Sequence, residues 1–77
     1  MEAHMANSII QDVQCLRAKT ALAASPLYDL RELHVERNGD SLLISGRVES
    51  FYHSQLAQEA VRAVVGEVKV VNSIDVA

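Results

Sequence analysis

From Leu42 to Val76 the chain reads as a strand, an amphipathic helix and a second strand, and this order limits the folds open to it. Leu42, Ile44 and Val48 face one way along Ser41 to Val48, with Gly46 in the same row. A helix follows from Phe51 to Val65, with Ser50 placed as its N-cap and Gly66 at the position after its end, where glycine is favoured. The next strand runs from about Val68 to Val76, with Val68, Val70, Ile74 and Val76 on one face and Asn72 interrupting the row. A helix crossing between two strands of one sheet makes those strands run in the same direction.

The segment ahead of this unit supplies the rest of the sheet. Leu33 and Val35 alternate with Glu32, His34 and Glu36, which predicts a strand over Leu30 to Arg37. Asn38-Gly39 then signals a hairpin with a type I′ turn. Further upstream, Ser8 to Ala24 reads as a helix capped by Asn7 or Ser8 and ended by Ser25-Pro26. At 100° per residue its inner stripe is Ile9, Val13, Leu16, Thr20 and Ala24, which sends Gln11, Cys15, Ala18 and Leu22 to the far side. In the second helix the central stripe is Ala57, Ala60 and Val64, flanked by Leu56 and Val61. The expected class is therefore α+β: a two-layer sandwich in α-β-β-α-β order, with two helices on one face of a three-stranded mixed sheet. Strand orders 1-2-3 and 2-1-3 both satisfy the pattern.

At 77 residues this is one small domain with a modest core. Hydrophobic residues make up 49%, enough to pack, but aromatics only 4%, so aliphatic side chains must build the interior. Met1-Glu2-Ala3-His4-Met5 has the look of a vector-derived remnant, so residues 1–7 are expected to be a disordered start and 8–77 the domain. No apolar run is long enough to span a bilayer, and no basic leader precedes an apolar stretch. The net charge of −3 argues against nucleic acid as a partner and against purely electrostatic adhesion to anionic lipid.

Chemistry-bearing residues are sparse. His4, His34 and His53 have no ligand spacing between them, and the lone Cys15 has no neighbour with which to share a metal, so no metal or cofactor is expected. His53 reads as a half-buried imidazole in a first helical turn. No Gly-x-Ser-x-Gly elbow surrounds any serine, and Cys15 in a helix interior lacks a setting that lowers a thiol pKa. A small enzyme or ligand-sensing domain is the most distant reading. The Gly-x-x-Gly loop with which a KH domain clamps nucleic acid is missing, because Gly39, Gly46 and Gly66 lie far apart. What remains is a set of apolar groups with no core position: Leu22 and Cys15 on the outer side of helix one, Leu43 and Val71 on the sheet face away from the helices, and Phe51, about 150° from the helix-two stripe. Together they are the candidate interaction surface.

The strand and turn pattern resembles that of the BON domain, the bacterial osmotically-inducible-protein and nodulation family. Val35 and the turn glycine Gly39 precede an apolar-x-apolar-Ser-Gly-x-Val strand, met by Leu42, Ile44, Ser45, Gly46 and Val48. An alanine-rich helix carrying Ala57 and Ala60 closes on Gly66, and Val-x-Asn-x-apolar-x-Val is met by Val70, Asn72, Ile74 and Val76. The similarity covers Leu30 to Val76 and departs at Glu67, where the family has valine, which leaves the start of the last strand open. Gly39, Ser45, Gly46, Gly66 and Asn72 are structural: Gly46 allows a close approach by a helix, and Asn72 satisfies its amide on turn or strand-end backbone. The resemblance implies a non-enzymatic binding module of bacterial envelope proteins, placed in the periplasm or cell envelope, with no catalytic residues. Its implied partners are phospholipid membranes or envelope proteins. The alternative is a protein-protein interaction or oligomerisation domain within a larger assembly, including a homo-oligomer.

Overall fold

The computed structural model describes the backbone of residues 2–77 and the side chains from Val13 onward. Its elements are α1 (Glu2–Ala23), α2 (Tyr28–Arg31), β1 (His34–Asn38), β2 (Ser41–Val48), α3 (Phe51–Val65) and β3 (Lys69–Val76). The sheet order is β1-β2-β3, with β1 antiparallel and β3 parallel to the central β2. Helices α1 and α3 pack against each other; α1 also lies on β1, and α3 on β2 and β3. The core is aliphatic: among the described side chains Leu22, Leu42, Ile44, Val48, Val61 and Val65 are its largest fully buried members.

β2 and α3 have the boundaries expected of them. Ser50 is extended and its Oγ accepts the His53 N–H at 3.2 Å, satisfying one of the free donors at the start of α3. The helix then ends on Gly66 at φ 65°.

The first helix differs from expectation in start and in face. It begins at Glu2, as the helix formers Glu2, Ala3, Met5 and Ala6 allow, and not at Ser8. The capping roles given to Asn7 and Ser8, and the faces given to Ile9 and Gln11, fall outside the described side chains. Cys15, Ala18 and Leu22 point inward and are buried, whereas Val13, Leu16, Thr20 and Ala24 are exposed. The helix carries apolar residues on two stripes, so periodicity does not choose between them. Size does: Cys15 and Ala18 let the helix axis come close, and the Cys15 Sγ lies 3.8 Å from the Val35 carbonyl oxygen. In α3 the buried line is Ser54, Ala57, Val61 and Val65, a rotation that moves Leu56, Ala60 and Val64 to the margin of the core.

The strand expected from Leu30 is shorter. A single helical turn, α2, occupies Tyr28–Arg31, and β1 starts only at His34. The turn is prepared by the Ser25 hydroxyl, whose Oγ accepts the Leu27 N–H at 3.1 Å, and anchored by Leu30, which is buried. The hairpin also differs: Gly39 has φ 63°, while among the described residues none other than glycine has a positive φ. With Asn38 paired to Ser41, the turn is Gly39-Asp40, and glycine alone in the first central position fits type II′, not type I′.

Gly46 lacks a side chain for a reason other than the approach of a helix. It sits at φ 132°, and a Cβ there would lie 2.8 Å from the Leu33 Cδ2, so the segment between α2 and β1 is what crosses it. Asn72 is satisfied mainly by α3, not by turn backbone. Its Nδ2 donates to the Ser54 Oγ and to the Gln58 Oε1, both at 3.1 Å. Its Oδ1 accepts the Ile74 N–H at 3.0 Å, which occupies one backbone donor of edge strand β3.

Candidate interaction site

The end of the sheet where β2 leaves and α3 begins is built around Asp29. This carboxylate, in the first turn of α2, reaches across to the loop before α3. Its Oδ2 accepts the Glu49 N–H at 2.9 Å and lies 2.9 Å from the His53 Nδ1. The hydrogen bond from His53, then that from Glu49, hold the Asp29 carboxyl below its ordinary pKa. His53 thus has a partner, as a half-buried first-turn imidazole. Among the described residues no three His, Cys, Asp or Glu side chains are grouped to hold an ion. The His4 side chain falls outside the described residues.

The latch brings the N-terminal turn of α2 to the N-terminal turn of α3, and both carry aromatic residues. Tyr28, Phe51 and Tyr52 are 68%, 77% and 66% exposed. They are all the aromatics the chain has, since it contains one Phe, two Tyr and no Trp. The Arg31 guanidinium lies 5.3 Å from the centre of the Tyr28 ring, within cation–π range, and the Tyr52 and His53 rings are 6.2 Å apart. Sequence reasoning picked out Phe51 alone. Tyr28 and Tyr52 carried a usable signal, since neither has a place in a strand alternation or in the apolar stripe of a helix.

The other surface residues singled out from sequence part company. Leu43 and Val71 are direct partners in the β2–β3 register, half-buried on the sheet face away from the helices. Glu36 pairs with Leu43 from the β1 side, and Ser45 follows on the same face between His34 and Ser73. Leu22 is not on the surface: at 2% exposure it belongs to the core, because helix α1 turns its Cys15-Ala18-Leu22 side inward. Cys15 is buried with it and is not displayed to solvent. Among the described residues no helix is long and apolar enough to cross a membrane.

The family model of the BON domain matches residues 11–77, nearly the whole chain. The chain belongs to the BON domain family. Within this BON domain, Gly46 and Asn72 are fixed by Leu33 and by α3 respectively, which explains their place in the pattern as packing devices. BON domains are non-catalytic, binding-type modules. A segment of 62 residues is also 39% identical to part of the tRNA pseudouridine synthase A of Methylobacterium nodulans. That segment is 80% of this chain but 22% of the length of the synthase, so the BON domain spans about a fifth of that relative. No solved structure matches the chain.

Proposed function

We propose that this BON domain is a phospholipid-binding module that docks on the membrane–water interface through Tyr28, Phe51 and Tyr52. The observation that carries the reading is the distribution of aromatics: all three are exposed, on the two helical turns that Asp29 joins, and none is in the core. Tyrosine suits the headgroup level, where its ring is shielded and its hydroxyl stays wet. Burying three such rings stabilises a complex by roughly 1.5–3 kcal/mol each before the cost of association. With a net charge of −3, attraction to anionic lipid is not the driving term, so binding is expected to change little with salt.

Co-sedimentation with neutral and with anionic phospholipid vesicles tests this. Wild type is expected to sediment with both, and the pair Phe51→Ala and Tyr52→Ala together to remain in solution while keeping its far-UV dichroism. Absence of wild-type binding to either vesicle type sinks the reading. A second reading, attachment to an envelope protein through the open sheet face, is favoured by the adjacency of Leu43 and Val71. It ranks lower because serines and charged residues surround that pair. Leu43→Lys would weaken such a complex and leave vesicle binding intact.

A further inference from the structure

We infer that the outward stripe of α1 is a self-association surface, seating a second copy of this chain about a two-fold axis through Thr20. Leu16 is 64% exposed, with Val13, one turn before it, at 44%. Leu16 stands at an apolar groove of about 590 Å³ between α1 and α3, which it lines together with Arg17, Thr20 and Val64 and the small side chains Ala21, Ala24 and Ala63. One chain therefore presents both a protruding aliphatic group and a hollow lined by alanines.

Symmetry makes the two halves fit each other. Leu16, Thr20 and Ala24 are spaced four apart on one ridge of the helix. A two-fold axis at Thr20 carries Leu16 of one copy onto Ala24 of the other, and the reverse, as an isologous contact requires. Thr20 is suited to the axis because its Oγ1 already donates to the Leu16 carbonyl oxygen at 2.9 Å, leaving its methyl for the seam and no hydroxyl to strand. Charge agrees with this docking. Arg17 shares the groove with Ala63 and Val64, while Ser25 lies by Leu56 and Ala60, so α1 and α3 run antiparallel. The axis moves Arg17 to the height of residue 23 of the second copy, and the adjoining turn of that copy's α3 carries the exposed Glu59. A seam this short belongs to the weak class of interface, so dimers are expected to form toward the millimolar end of concentration.

Sedimentation equilibrium of the full chain, from micromolar to millimolar, reads the association. Leu16→Lys is expected to weaken it by at least about tenfold without loss of helicity, since the side chain is exposed. Thr20→Cys places the new thiol on the axis and should give a covalent dimer under mild oxidation, in contrast to Lys69→Cys on the far strand. A strict monomer throughout, a dimer indifferent to Leu16→Lys, or equal cross-linking of the two cysteine variants would each overturn the inference. Loss of vesicle binding in Leu16→Lys with wild-type protein monomeric would overturn it in favour of a lipid contact.

Discussion

The Asp29 carboxylate and the His53 imidazole, 24 residues apart in sequence, meet at 2.9 Å and join α2 to the first turn of α3. Because His53 and the Glu49 N–H both favour the charged carboxylate, the folded-state pKa of Asp29 lies below its ordinary 3.8. A depressed acid contributes stability that is fully present above the unfolded-state value and is lost as pH falls through the folded one. The contribution therefore holds at neutral pH and is lost progressively as pH falls below about 4. Asp29→Asn should lower the melting temperature at pH 7 and flatten its decline below about pH 4, as read by thermal denaturation across pH. Parallel wild-type and variant curves would show that the latch adds nothing.

The orientation of α1 is open to a paired test. Leu22→Ala empties a core position and is expected to cost about 2–5 kcal/mol in urea denaturation. Leu16→Ala, on the exposed ridge, should fall within about 0.5 kcal/mol of wild type in dilute solution. The opposite ranking would put the Val13-Leu16-Thr20 stripe inside instead.

Gly46→Ala combines two penalties, a φ of 132° and a Cβ 2.8 Å from the Leu33 Cδ2. We expect a loss of about 1–3 kcal/mol. Leu33 is flexible at its tip, so adding Leu33→Ala should relieve the steric share and leave the backbone share, a non-additivity that a double-mutant cycle measures. Full additivity would mean that Leu33 is not what excludes the side chain.

Asn72→Ala removes the two bonds to α3 and the one to the Ile74 N–H. A loss of about 1–2 kcal/mol of unfolding free energy in urea denaturation is expected, with faster amide exchange at Ile74 as the local signature. Unchanged exchange at Ile74 would show that the edge is protected by other means.

The legible parts of this chain are those whose signals are local. Ser50 and Gly66 bracket α3, and alternation in Ser41–Val48 marks β2, so both were readable to the residue. The family pattern rested on the same segments. What escaped depended on partners distant in sequence. α2 is latched by Glu49 and His53, which a local reading of Leu30 to Arg37 could not bring near Asp29. The face of α1 was decided by how closely small side chains let it approach Val35, a packing outcome that two comparable stripes leave undetermined. The candidate site was visible only as Phe51, because Tyr28 joins it through that same long-range latch.

An interior without a single aromatic ring has a consequence for anyone following this molecule by light. Tyr28 and Tyr52 are already in water when the chain is folded, so unfolding alters their surroundings little, whereas anything that covers that end of the molecule alters them directly. Apart from the Arg31 contact of Tyr28 and the His53 contact of Tyr52, their emission has little to report about folding, and it is expected to change when the vesicle surface of the proposed docking covers them.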